Sequence, residues 1–274
     1  MAADDAFAAF ESKWIAAHPE FGLALGFIPA AQRRSRSAFA CIGFEIAHAA
    51  LRIAEAQVAA GKLQWWLDEF AALAAGQARH PLTLALAADR DVSRVPLTLW
   101  REFIAAALAQ RDNAPPSTLD ALLADHHALY LPWARAGEQL FGDRDPAAVA
   151  GVHALSRAFR ETLALPDRLA DGRLVVPLDV LARHRLSRGD LAASGPARTG
   201  ALRDHLESIV ARMDACTATA LPVLEAVTLH VDRSRCRRAA RARDPLAAGA
   251  RGSRRVPFST PWAAWRAARH AQAG

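Results

Sequence analysis

Lysine is almost missing from this sequence: Lys13 and Lys62 stand alone beside an abundance of arginine. The formal charge of +6 is therefore nearly all guanidinium, and it is spread along the chain. No groove-reading motif accompanies it, so nucleic acid is not an expected partner. Cysteine is scarce as well. Cys41, Cys216 and Cys236 are odd in number and far apart, which argues against a disulfide framework or a cysteine metal site and fits a reducing, cytoplasmic setting. No apolar run reaches the ~20 residues that span a bilayer; the longest candidate, around 215–231, is interrupted by Pro222 and Glu225. Asp4 and Asp5 stand where a signal peptide would carry basic charge, so none is expected. Membrane contact is expected to be peripheral at most: the arginines of 233–255 suit anionic head groups, but a solvated, partly disordered basic loop is the favoured reading of that segment.

What is present is apolar and helix-forming. Just over half of the 274 residues are hydrophobic, and Ala and Leu, both good helix formers, dominate them. β-branched residues are sparse. An all-α chain follows, read as a single domain over 1–274. Asp4 and Asp5 are placed to cap a first helix to about His18. A second helix is predicted over 32–59, with Phe39, Ile42, Ile46, Ala50 and Ile53 at steps of three and four. Gly61 is read as the break before a third helix over 62–76, whose Trp65, Trp66 and Phe70 supply buried area. Short helices follow Pro81 and Pro96, then a long one from a Ser117 cap to Phe141 with a kink at Pro132. Helices over 146–165, 178–185, 198–231 and 260–270 complete the pattern. Residues 232–257, rich in Arg, Gly and Pro, are read as irregular.

Chemistry-bearing constellations are few. Glu45, His48, Arg52 and Glu55 lie along one side of the second helix, as the polar wall of a cavity or as a charge-paired face. His126 and His127 are adjacent, about 100° apart on a helix, and so poorly set to share a metal. Asp143 and Asp145, like Asp89 and Asp91, have the spacing of a metal-binding pair in positions where helix capping is the commoner role. No Gly-rich phosphate loop, HExxH or local Ser–His–Asp motif occurs.

The segment Lys62–Phe70, KLQWWLDEF, followed by His80-Pro81-Leu82, resembles the squalene/phytoene synthase family. Asp171-Gly172-Arg173 and the following LVVPLDVLARHRLSRGDL are similar to the family's Gly-Arg…Leu-Pro segment. Tyr130–Gly142 and the terminal WAAWRAARHA add weaker matches in the same order. The resemblance implies an isoprenoid (terpenoid) synthase-like helical bundle around a central apolar cavity. It also implies two Asp-rich motifs on facing helices, whose carboxylates hold Mg²⁺ against the diphosphates of two prenyl substrates.

Carried over position by position, the first motif falls on Ala47-His48-Ala49-Ala50-Leu51, and the second on Ala164 and Arg168. No carboxylate stands at either. Asp167 and Asp171 are four apart but one residue out of register. Arg157, Arg160 and Arg168 offer an anion direct, metal-free binding. The expected cavity polar residues are thus Glu45, His48, Arg52, Arg157, Arg160, Asp167, Asp171 and Arg173. The resulting expectation is a non-catalytic member of the family, similar to its divergent branch that includes a mitochondrial complex I assembly factor. It would bind a prenyl or other isoprenoid lipid, or act as an assembly partner of another protein, with no metal or cofactor. The alternative is an active, Mg²⁺-dependent transferase condensing two prenyl diphosphates head to head. A third reading is a structural partner protein whose cavity is packed solid.

Overall fold

The computed structural model describes residues 2–111, 114–143, 145–216, 221–252 and 255–272. Among these the regular structure is helical, with no strand. The helices are Ala2–Ala17 (α1), Pro19–Leu25 (α2), Ala30–Arg52 (α3), Ala56–Ala74 (α4), Pro81–Asp89 (α5), Leu97–Ala109 (α6), Leu119–Phe141 (α7), Pro146–Leu163 (α8), Leu165–Ala170 (α9), Leu178–His184 (α10), Pro196–Ala215 (α11), Val223–Ala240 (α12), Pro245–Gly252 (α13) and Thr260–Gln272 (α14). None is long and apolar enough to cross a membrane.

The apolar stripe of α3 buries Phe39, Ile42, Ile46 and Ala50. It meets α4, α5 and α6 on one side, where Phe70 and Trp100 stack at 4.2 Å. On the other side Phe39 stacks on Trp133 of α7 at 4.6 Å. Gly43 of α3 lies directly beneath that indole, because a Cβ there would come within 2.8 Å of Trp133 Nε1. Helix α8 packs along α7, and α12 packs against α2, α8, α11 and α14. A smaller apolar cluster of Leu165, Val176, Val180, Leu181 and Leu202 forms under α9, α10 and α11.

The tryptophan-rich segment is a structural joint. The buried Glu69 carboxylate accepts the amides of Arg79 and His80 at 2.8 and 2.9 Å and the Thr83 hydroxyl at 2.5 Å. It ties the start of α5 to α4, and His80 sits against the Trp66 ring at 4.9 Å. Trp66 and Phe70 are buried, but Trp65 is nearly half exposed.

Four boundaries differ from the sequence reading. The break between α3 and α4 falls at 53–55, and Gly61 lies inside α4. Arg111 donates to the carbonyls of Ala50, Ile53 and Ala54, and Arg168 donates to that of Leu51 at 2.8 Å. These tertiary donors replace the amides of a continuing turn and end α3. A helical glycine costs about 1 kcal/mol against alanine, which burial of Leu63, Trp66 and Phe70 on the same helix outweighs. Thr118, rather than Ser117, caps α7 by accepting the Ala121 amide. The predicted helix over 198–231 is two helices, α11 and α12. The segment read as irregular, 232–257, continues α12 to Ala240 and adds α13. Ala and Arg are strong helix formers. Asp232 and Arg235 are buried one turn apart in α12, and Asp244 accepts the Ala247 amide at the start of α13. The irregular reading weighed the Gly and Pro content and missed these anchors.

Candidate functional site

Helices α1, α2, α3, α7, α8 and α12 surround a central cavity of about 160 Å³. Its apolar walls are Trp14, Phe21, Phe44, Tyr130 and Trp133, and its polar floor comes chiefly from α8. Asp145 caps α8 by accepting the Ala148 amide at 2.9 Å, and Pro146 sets its first turn. Val152, Leu155 and Phe159 then bury one face. The 3.6-residue repeat turns Ser156, Arg157, Arg160 and Glu161 toward the cavity.

Arg160 is fully engaged. Its Nε donates to Asp232 at 2.8 Å and its Nη2 to Glu20 at 2.7 Å, while Nη1 lies 2.6 Å from His18 Nδ1. Arg235 lies 3.3 Å from Glu20 and 3.5 Å from Asp232, closing a network of two arginines and two carboxylates. Burial opposes the charge on Glu20, but His18 and the Arg160 and Arg235 charges outweigh it and hold the carboxyl well below its usual range. Burial, assisted by Arg160, keeps the His18 imidazole neutral and its pKa low.

Arg157, one turn earlier, is the opposite. It is 5 % exposed, and neither Nε nor Nη1 has a hydrogen-bond partner. Burial depresses its pKa below the ordinary guanidinium value. Ser156 Oγ and Trp133 Nε1 line the same cavity, are buried and are likewise unpartnered. Buried polar atoms are normally satisfied; here the unpartnered set around the cavity holds these donors and also one carboxylate oxygen each of Glu20 and Glu161. Tyr130, raised in pKa by burial, adds a phenol to the lining.

The eight residues expected in the cavity separate in space. His48, Arg52, Arg157 and Arg160 line it, with His48 and Arg52 exposed at its mouth. Arg52 reaches within 3.6 Å of Glu161. Glu45 is buried but does not line the cavity. Its carboxylate is taken by Lys13, by Lys62 at 2.9 Å and by Trp14 Nε1 at 3.1 Å. Asp167 is exposed on α9. Asp171 is exposed and lies 3.1 Å from Arg168. Asp171 and Arg173 line a separate cleft of about 260 Å³ with Gln110, Arg111 and His126, reached from Arg157 and Glu161 on its inner side. His126 is buried in that cleft with neither ring nitrogen partnered, and burial together with Arg157 and Arg173 holds its pKa well below normal. His127 points elsewhere, 3.2 Å from the Ala147 carbonyl. Glu55 stands beyond α3, at the start of α4.

The Asp-x-Asp pairs do other work. Asp143 forms a two-point pair with Arg36 at 2.8 and 3.1 Å, and Asp145 is the cap of α8. Asp91 accepts the Ser93 amide, and Asp89 is exposed. Among the described residues no three His, Cys, Asp or Glu side chains are grouped to hold a metal ion.

Sequence reasoning did not find His18, Glu20, Ser156, Glu161, Asp232 and Arg235. The run Ser156-Arg157-x-x-Arg160-Glu161 was a detectable signal, a polar edge on an otherwise apolar helix. Glu20 sits in a seven-residue helix between Pro19 and Gly22, which reads as punctuation.

A second cavity, of about 360 Å³, adjoins the first and shares Phe21, Ala40, Trp133 and Leu224 with it. It is lined by Phe27, Ile28, Phe39 and Phe141, and its rim includes Ala268 and His270 of α14.

The fold is similar to a dehydrosqualene synthase solved in complex with a ligand, at 11% identity and a TM-score of 0.73, covering 99% of this chain and 98% of that one. It is similar also to the squalene synthase HpnC from Alicyclobacillus acidocaldarius, at 16% identity and a TM-score of 0.65, covering 91% and 93%. No curated protein matches the sequence. Residues 16–269 match the model of the squalene/phytoene synthase family, and the chain belongs to that family.

Proposed function

We propose that this protein binds one isoprenoid lipid bearing an anionic head, and does not carry out a metal-dependent condensation of two prenyl diphosphates. The observation that carries this reading is the state of the cavity's charges. Every carboxylate beside it already faces a cation of the chain: Glu20 and Asp232 face Arg160 and Arg235, and Glu161 lies 3.4 Å from Arg168. The donors of Ser156, Arg157 and Trp133 have no hydrogen-bond partner, with Glu161 favouring the Arg157 charge without bonding it.

The residues present do not fit Mg²⁺. A hard divalent cation takes free oxygen ligands, chiefly carboxylates. The two segments expected to hold it do meet, at the Arg168 to Leu51 hydrogen bond. A guanidinium and a backbone carbonyl stand there, with the Ala49 and Ala50 side chains fully buried. Arg157, with Ser156 beside it, would hold the head group by charge-assisted hydrogen bonds, with the aromatic walls against the chain.

The family membership and the two solved relatives favour a competing reading, an active transferase, and one experiment separates them. The protein is incubated with farnesyl or geranylgeranyl diphosphate and Mg²⁺. No pyrophosphate release is expected, while either diphosphate raises the melting temperature, as a native-state ligand must. That rise is expected to vanish in Arg157→Met. Pyrophosphate release at enzyme-like rates overturns the proposal, as does a melting temperature unmoved by both lipids.

A further inference from the structure

From Pro245 to Gly274 the sequence contains five arginines and not one Asp or Glu. Helix α14 turns Ala263, Ala264 and Ala267 inward against the bundle. Its outward face carries Trp262, Trp265, Arg266 and Arg269, all exposed. Trp262 is 59% exposed and stacks on Trp265 at 4.7 Å, and Arg269 lies over the Trp265 ring. Phe258, in the turn leading into α14, is wholly exposed. His230 of α12 is 2.9 Å from Ser259 in that turn. Beside it runs a groove of Arg233, Arg237, Arg238 and Arg241. Asp214 pairs with Arg233 and Arg237, while Arg238, Arg241, Arg266 and Arg269 form no ion pair among the described residues.

Isolated exposed apolar side chains are ordinary, but three large aromatics gathered in one stretch mark an interaction surface. Its chemistry selects the partner. Trp and Phe settle at the boundary between head groups and acyl chains, and unpaired arginines meet anionic head groups. We infer that the α14 face, with Phe258 and the adjoining α12 arginines, docks the protein peripherally on an anionic lipid bilayer. Docking there would set the rim of the 360 Å³ cavity, which includes Ala268 and His270, beside the membrane. The inference stands whatever the central cavity holds.

The test is co-sedimentation of the full chain with vesicles of phosphatidylcholine alone and of phosphatidylcholine with phosphatidylglycerol. Binding to the anionic vesicles alone, weakened by added salt, is expected. Two surface variants, F258S/W262S and R266E/R269E, should each bind about ten-fold more weakly or worse, with unchanged circular dichroism and melting temperature. A failure to sediment with anionic vesicles overturns the inference. So does equal binding to neutral vesicles, or binding that neither variant weakens. A soluble protein captured through this face without vesicle affinity would reassign the surface to that partner.

Discussion

Arg157 and Arg160 occupy successive turns of one helix and line one cavity, yet one has no hydrogen-bond partner at two of its nitrogens and the other has three partners. Arg157 is the more deeply buried, while 26% of the Arg160 side chain is accessible. What decides their pairing is the helix opposite. Arg160 faces α2 and α12, which supply Glu20 and Asp232. Arg157 shares its stretch of the lining with Tyr130 and Trp133 of α7, and the one carboxylate favouring its charge, Glu161, lies on its own helix and pairs with Arg168. A buried charge already matched by the chain holds the fold together. A buried charge without a hydrogen-bonded partner costs stability, which the nearby Glu161 charge offsets only in part.

The largest expected effect tests the matched side. Arg160→Ala strands Glu20 and Asp232 with Arg235 as their remaining cation, and chemical denaturation should show a loss of about 3 kcal/mol. A loss under ~1 kcal/mol would mean that Arg235 alone suffices and would blur the contrast.

Acid should act on a similar scale. His205 is wholly buried, and burial lowers its pKa from 6.5 to about 4. His126 and His18 are lowered by burial too. Because these folded values are depressed, the unfolded chain takes protons that the native protein refuses. Stability is therefore complete above pH 6.5 and falls as pH drops toward 4, by on the order of 3 kcal/mol for His205 alone. Glu20, also depressed, extends the loss below its unfolded value of 4.5. Denaturant titrations across this range check the slope; a flat profile would show that the histidines protonate without unfolding.

Gly43→Ala drives a methyl into the Trp133 indole, which Phe39 braces from the other face. Overpacking of this kind costs about 1–3 kcal/mol, read as a lower melting temperature. The smallest effect is the most telling. Arg157→Met removes a buried charge that no hydrogen bond at Nε or Nη1 supports while keeping bulk, so stability should change by less than ~1 kcal/mol or rise. A loss of several kcal/mol would show that Arg157 holds the fold as Arg160 does, and the contrast would fail.

The sequence disclosed the helices and their inward faces because periodicity is local, as with Phe39, Ile42, Ile46 and Ala50. It also disclosed Arg157 and Arg160, with Arg168, as arginines able to bind an anion. It did not disclose their different fates, since Glu20 lies 140 residues from Arg160 in sequence and Asp232 lies 72. Pairings over such separations are set by how helices pack. Glu45 illustrates the converse. Its spacing from His48 and Arg52 is right for a shared wall, but Lys13 and Lys62 draw its carboxylate to another side. The end of α3 was misplaced for the same reason, since Arg111 and Arg168 act on it from far along the chain.

That helix end has a further consequence. The last turn of any helix carries a partial negative charge that draws cations. At α3 the balancing charges are guanidiniums of Arg111, Arg168 and Arg173, covalently part of the chain and always protonated near neutrality. They are tethered counterions, present at constant stoichiometry and unable to diffuse away. Neither a chelator nor a swing in divalent salt can strip or replenish them, so the electrostatic balance at this end of the bundle is fixed when the chain folds and is not negotiated afterwards with the solution.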